Sequence, residues 1–304
     1  MIVVTTPTGT IGRQVLARLV DRRAPVRVIV RDPSRLPAHL VREIDVVVGS
    51  HRDPAVVARA FTDAQAVFWL VPVDPRATGP TSAFVDFTRP ACAALRHGTT
   101  VRRVVGISAL GRGFSRPAGL ATASLAMDDL IAGTGVAYRA LTMPAFMENL
   151  FMHAGTIREQ GVIYSPVTAD LPLPTVATRD VAAVAARLLC DGAWTGQDAV
   201  PLLGPEDLTF DEIARILTGV LGRPVRYQRI PVERYTATLV GQGMSAAMAR
   251  AMADMLTAKN DGLDQLVGRG PEHATPTAFR DWCRQVFAPA LDSVAVESSS
   301  RRFS

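Results

Sequence analysis

Two hydrophobic periods alternate through the first half of the chain, and this alternation restricts the fold more than any other feature. Short β-branched runs recur at 2–4, 26–30, 44–48, 66–71 and 103–107. Continuous apolar runs of this length suit strands covered on both faces of a parallel sheet. Helical spacing fills the gaps: Ile11, Val15, Leu16 and Leu19 fall on one stripe, and further stripes run over 54–61, 81–95 and 121–132. A sixth strand is expected at 137–141. Strand and helix in strict turn give βαβ units with right-handed crossovers, so the expected class is α/β with a doubly wound parallel sheet.

The second half is less regular. A helix is expected over 179–189 with Asp180 capping its start, then a strand at 199–203. A helix carrying Ile213, Ile216, Leu217 and Val220 is stopped by Gly222. A half-exposed strand at 225–230, a methionine-rich helix at 244–256 and an amphipathic helix at 276–287 complete a smaller α+β subdomain. The expected organisation is a nucleotide domain over 1–150 with 175–203 packing back onto it. A substrate subdomain follows over 151–174 and 204–287, with a disordered tail over 288–304.

The first strand runs into Thr5-Thr6-Pro7-Thr8-Gly9-Thr10-Ile11-Gly12-Arg13 and then into a helix. In that context Gly9 lets backbone amides approach a pyrophosphate, and Gly12 lets the helix sit close to the strand. The free amides and the helix dipole then hold the negative charge. A G-x-x-G-x-x-G turn would have glycine where this chain has Thr6, a β-branched residue that either tilts the turn by restricting the backbone or bonds a phosphate through its hydroxyl. The second strand ends in Val30-Arg31-Asp32-Pro33-Ser34-Arg35. An acidic residue there would bond the ribose 2′-hydroxyl of NAD, whereas arginine accepts the 2′-phosphate of NADP. Arg31, with Arg35 one turn on, favours NADP(H) over NAD(H), and Asp32 is left to cap the next turn. The sheet is therefore expected to be of the Rossmann type.

The net charge of +5 is carried almost wholly by arginine, with Lys259 the only lysine. These arginines are scattered, which argues against a nucleic-acid face. Cys92, Cys190 and Cys283 lack C-x-x-C spacing, and His39, His51, His97, His153 and His273 lack ligand spacing. Neither a disulfide framework nor a metal site is expected. No apolar stretch reaches the ~20 residues that span a bilayer, and the chain opens directly on a strand, which reads as cytoplasmic. A homodimer is left open.

With these residues in view, the chain resembles the NmrA-like, atypical branch of the short-chain dehydrogenase/reductase superfamily. The likeness rests on Pro7-Thr8-Gly9-Thr10-Ile11-Gly12, Val30-Arg31-Asp32-Pro33, Phe68-Trp69-Leu70-Val71-Pro72, Val104 to Gly111 and Leu141 to Asn149, and extends to about Phe287. It implies coenzyme contacts from Thr6, Thr8, Gly9, Thr10, Ile11, Gly12, Arg31 and Arg35. It also implies contacts from the strand ends Leu70, Val71, Pro72, Ser108, Ala109, Met143, Pro144, Ala145 and Phe146.

The Tyr-x-x-x-Lys pair of the wider superfamily is missing, because Met255 stands four residues before Lys259 and Thr142 four after Tyr138. The lysine or histidine of related branches aligns with Ser124, while Asp128 and Asp129 read as surface residues. Candidate catalytic groups are Ser108, Ser124 and Tyr164, with His153 as a further carbonyl-orienting candidate. Phe146, Asn149, Phe151, Met152 and Met248 are the candidate substrate contacts. Met244, Met248, Met252 and Met255 form either a mobile apolar lid or ordinary core packing. The resemblance implies an NADPH-dependent reductase of a quinone or an aromatic, polyketide-like carbonyl. A non-catalytic NADP(H) sensor, or an isomerase or dehydratase of a biosynthetic intermediate, stays open beside it.

Overall fold

The computed structural model describes residues 1–291; within the expected disordered tail, 288–291 are helical and Leu291 is buried in a core, and the rest of that expectation lies outside the described residues. The chain begins β1 (Ile2–Thr5), α1 (Thr10–Asp21), β2 (Val26–Val30), α2 (Ala38–Val41), β3 (Asp45–Val48), α3 (Pro54–Phe61) and β4 (Ala66–Trp69). It continues through α4 (Phe87–Arg96), β5 (Arg103–Ala109), α5 (Leu120–Ala132), β6 (Ala137–Met143) and β7 (Ala145–Phe146). Next come α6 (Ala154–Gln160), β8 (Val162–Ser165), β9 (Leu173–Val176), α7 (Thr178–Cys190), β10 (Gln197–Pro201) and β11 (Asp207–Leu208). The last elements are α8 (Phe210–Leu221), β12 (Arg226–Arg229), α9 (Val232–Gly241), α10 (Ala246–Asn260) and α11 (Phe279–Trp282).

Seven strands form one parallel sheet in the order β10-β6-β5-β4-β1-β2-β3. This is the Rossmann order. The winding reverses between β1 and β4, and a crevice opens at the carboxyl ends of those strands, where open α/β sheets take their ligands. One face is covered by α1 and α7, with Val15, Leu16 and Leu19 packed in one cluster with Val181, Ala182, Ala185 and Ala186. Each aliphatic side chain buried this fully contributes about 1.5–3 kcal/mol, and the alanines of α7 let the two helices pack closely. The other face is covered by α3, α4 and α5 around Trp69, Phe61, Met127 and Tyr138.

Outside this sheet, β7, β9 and β11 form one small sheet, and β8 and β12 another. A third core gathers Leu217, Phe279, Trp282 and Phe287. Thr209 and Glu212 close a capping box on α8, and Gly222 ends that helix in the left-handed region at φ 65°.

Three local expectations are corrected. Asp180 does not cap α7: it lies inside the first turn and accepts from Thr277 N at 3.0 Å and Thr277 Oγ1 at 2.8 Å. The α7 start is held instead by Glu148, which takes Thr178 Oγ1 at 2.6 Å. Helix α9 was not expected, because only Val232, Tyr235 and Leu239 mark its inner side. Asp128 is 3 % exposed rather than on the surface, whereas its neighbour Asp129 pairs with Arg112 at 3.0 Å in solvent.

Candidate functional site

The crevice is built on the turn between β1 and α1. Thr6 occupies the left-handed region at φ 52°, a conformation that costs a β-branched residue and that glycine adopts freely. Its hydroxyl donates to the Leu70 carbonyl at 2.8 Å. Thr5 Oγ1 lies 3.3 Å from the same carbonyl and accepts from Leu70 N at 2.8 Å, and His51 Nε2 donates to that carbonyl at 3.1 Å. The end of β4 is thereby clamped to the turn, and the Thr6 hydroxyl is occupied there. Thr6→Val, which keeps the shape and removes the bond, is expected to lower unfolding stability by about 1 kcal/mol. It should change the NADPH dissociation constant less than about twofold, as read by urea melts and calorimetry. A tenfold loss of affinity would instead put that hydroxyl on a phosphate.

Gly9 is the N-cap of α1, with no side-chain cap and no acidic residue in the first turn. The opening amides of such a helix have no partner within it, so this end can receive an anion. A Cβ on Gly12 would lie 2.0 Å from the Thr6 carbonyl oxygen, so only glycine lets α1 start this close to β1. Thr10 and Ile11 follow as the first helical residues, Ile11 buried in the sheet core.

A cavity of about 680 Å³ opens beside the turn, lined by Thr6, Thr8, Arg31, His51, Arg52 and Arg76, with Pro72 on its wall. Arg31, Arg52 and Arg76 are exposed, and none makes a side-chain hydrogen bond or ion pair among the described residues. Arg35 stands outside this lining, in the short turn Pro33–Arg35 that Asp32 caps through Ser34 N at 3.0 Å. An uncapped helix start and three unpartnered guanidinium groups around one crevice fit the diphosphate and a further phosphate of a dinucleotide.

His51 forms the floor of the cavity, wedged edge-on against Trp69 and Phe87 with centroids 5.1 and 4.8 Å away. Burial pushes its pKa down to about 4, with the Arg31 charge adding to the effect and the Leu70 carbonyl opposing it. Burial alone takes His153 down to about 4. Their ordinary value is 6.5, so between those limits the unfolded chain binds more protons and stability falls as pH falls. Asp128, raised from 3.8 to about 6, acts oppositely over much of the same window. With two histidines against one carboxyl, the melting temperature is expected to drop between about pH 6.5 and 4.5. Each histidine contributes up to about 1.4 kcal/mol per pH unit. His51→Gln, whose amide can still donate to Leu70, should flatten the drop, and an unchanged slope would contradict the buried neutral imidazole.

The remaining candidates lie in several places. Ser108 and Ser124 are brought together, their hydroxyl oxygens 3.4 Å apart and both buried. Tyr164 is elsewhere, donating to Gln160 Oε1 at 2.9 Å and packed beside Ile230 and Tyr235. Val71, Met143 and Pro144 are buried, Leu70, Ala109, Ala145 and Phe146 are half-buried, and Asn149 is exposed. The candidate substrate contacts do not converge. Phe151 packs on Trp282 and Phe287, bordering a separate cavity of about 570 Å³ with Thr10, Arg13 and Arg179. Met152 is 59 % exposed, while Met248 is 2 % exposed and packed with Ala83, Leu120 and Ala251. Met248 is thus core packing. Helix α10 is nonetheless tied to the crevice, since Ser245 N and Oγ donate to the Pro75 and Ala77 carbonyls at 2.9 and 2.7 Å.

Residues 7–191 match the family described as NAD(P)H-binding, and residues 133–282 match the NmrA-like family. A (4-alkanoyl-5-oxo-2,5-dihydrofuran-3-yl)methyl phosphate reductase of Streptomyces griseus is 33 % identical over 95 % of this chain and 100 % of its own length. The chain belongs to the NAD(P)H-binding, NmrA-like family. An NAD(P)H azoreductase of Xenophilus azovorans is 29 % identical over 84 % of this NmrA-like chain and 86 % of its own. The fold matches that of an NADPH-dependent quinone oxidoreductase of Escherichia coli solved with NADPH. The TM-score is 0.74 at 22 % identity, covering 97 % of this chain and 99 % of that one. Named relatives of this NmrA-like protein are reductases, and it is an oxidoreductase that binds a nicotinamide coenzyme.

Sequence reasoning passed over Arg52, Arg76 and His51. The rule that ligands gather at strand carboxyl ends would have found them, since 49–52 follow β3 and 72–76 follow β4 just as 31 follows β2.

Proposed function

We propose that this protein is an NADPH-dependent reductase that passes hydride to a quinone or an aromatic, polyketide-like carbonyl. The observation that carries the reading is the ring of Arg31, Arg52 and Arg76, unpaired, around the cavity beside the uncapped start of α1. Arg31 would hold the 2′-phosphate, and the amides at Thr10 to Gly12 the diphosphate, since the Gly9 amide donates to the Thr6 carbonyl at 3.0 Å. When bound, the reduced nicotinamide supplies the hydride. The chain's own groups orient the acceptor and provide the proton its oxygen needs.

A conjugated aromatic acceptor suits a site without a Tyr-x-x-x-Lys pair. Where that acceptor is a quinone, its reduced oxygen is a phenolate, a stabilised and weakly basic anion, so a weaker proton donor suffices. Lys259 is not free to assist, because its ammonium is buried against Asp264. The azoreductase and quinone oxidoreductase relatives, named for flat conjugated acceptors, support the same class. The test is consumption of NADPH, followed optically, with a panel of quinones, azo dyes and aromatic ketones. Turnover with at least one class and a preference for NADPH over NADH is expected. Tight NADPH binding without turnover of any acceptor would replace the reductase with a sensor.

A further inference from the structure

A polar island lies beneath the carboxyl end of β5 that the coenzyme crevice does not use. Ser108 Oγ donates to Asp128 Oδ2, and Tyr138 OH donates to Asp128 Oδ1 at 2.7 Å. Asp128 is 3 % exposed, with Ser108, Ser124 and Tyr138 buried around it. The arrangement is built in: a Cβ on Gly106 would lie 2.3 Å from the Tyr138 hydroxyl oxygen, so glycine at 106 makes room for the phenol. Among the described residues, no cation forms a hydrogen bond or ion pair with the carboxyl. The nearest charges are Arg112, on the loop after β5, and Asp129, on α5, and these pair with each other at 3.0 Å in solvent. A buried carboxylate without a cation is costly, and a carboxylic acid is the cheaper occupant.

We propose that Asp128 is a positioning residue that stores a proton behind the Ser108 hydroxyl, so that the pair supplies the proton for a carbonyl acceptor held at the end of β5. This rests on the reductase reading. Hydride added to the carbonyl carbon leaves an electron pair on the carbonyl oxygen. Ser108 Oγ passes its proton to that oxygen while the Asp128 carboxyl passes its own to Ser108 Oγ. Asp128 is left as the carboxylate and regains a proton from water, so one hydride and one proton are consumed per carbonyl reduced. When Asp128 is ionised, the Ser108 proton is bound to it and is not offered outward.

Titration of the surroundings agrees with this role. Burial raises the Asp128 pKa to about 6, against the bonds from Ser108 and Tyr138 and the Arg112 charge, while Asp129 adds to the rise. Tyr138 on β6 is pushed well above its ordinary value by burial and by Asp128. Cys92 on α4 is pushed up to about 11 by burial. Among these neighbours, Asp128 is the group that changes charge near neutrality.

The test is the pH profile of kcat at saturating NADPH and quinone or aromatic ketone, together with infrared difference spectra of the carboxyl stretch. Wild type is expected to lose kcat about tenfold per pH unit above the Asp128 pKa. Asp128→Asn and Ser108→Ala should be flat, at the level to which wild type falls at high pH. Tyr138→Phe removes one donor to the carboxylate and should move the falling limb to higher pH, which a purely structural role would not do. A protonated-carboxyl band should vanish between about pH 5 and 7.5 in wild type and be missing from Asp128→Asn, independently of turnover. Acceptor reduction with the wild-type profile retained in Asp128→Asn, or no titrating band, overturns the proposal. A titrating band with no acceptor consuming NADPH overturns the reductase reading, and this use of the proton falls with it.

Discussion

Gly12→Ala is expected to abolish NADPH binding, weakening it by about 100-fold or more, and to cost about 3 kcal/mol or more of stability. The added Cβ would stand 2.0 Å from the Thr6 carbonyl oxygen, 2.8 Å from the Thr6 carbonyl carbon and 3.2 Å from the Thr5 oxygen. All three are backbone atoms, and Thr6 itself is already held in the left-handed region and tied to Leu70. Relief can come only by lifting α1 off β1. That displaces the amides at the helix start and opens the seam between Val15, Leu16 and Leu19 and α7. Gly9→Ala provides the folded comparison. Its Cβ meets the Thr6 methyl group at 3.0 Å and its φ is −82°, so it should stay folded and lose affinity only modestly. Wild-type NADPH binding by a folded Gly12→Ala protein would remove the diphosphate from this turn.

Arg31→Asp is expected to raise the NADPH dissociation constant about 100-fold while leaving NADH within about threefold. A hydrogen bond to a charged partner contributes about 1.5–3 kcal/mol, and reversing the charge beside a phosphate adds repulsion to that loss. Arg52→Ala and Arg76→Ala, which keep Arg31 in place, should lose less. Arg35→Ala should lose under about twofold, because Arg35 stands outside the cavity. The readout is calorimetry with both coenzymes on each variant. Equal losses for NADPH and NADH in Arg31→Asp would mean that this guanidinium does not read the 2′-phosphate.

Most of the sheet was legible because its inner strands, above all β1 and β4, are largely apolar and buried along their whole length, so composition marks them. The phosphate turn was legible because two glycines stand between a strand and an amphipathic helix. What escaped depends on side-chain direction and long-range contact. Asp128 and Asp129 look alike in sequence, yet adjacent helical residues are about 100° apart around the axis, which turns one under β5 and the other to solvent. Thr6 stood out as the missing glycine, but nothing local shows that its hydroxyl meets Leu70, sixty-four residues on. Asp180 satisfied the cap pattern, yet Glu148 took that role because the segment after β6 folds against the start of α7. Phe151, Met152 and Met248 were grouped by being apolar, whereas packing sends them to a separate cavity rim, to solvent and to the interior.

In the proposed reading, the helix amides of the crevice hold a diphosphate and its arginines read an extra phosphate. Calorimetric titration of the intact protein with NADPH and with NADH tests it most directly. One NADPH per chain, bound at least about tenfold more tightly than NADH, is the expected result. No heat with either coenzyme from folded protein would contradict the account.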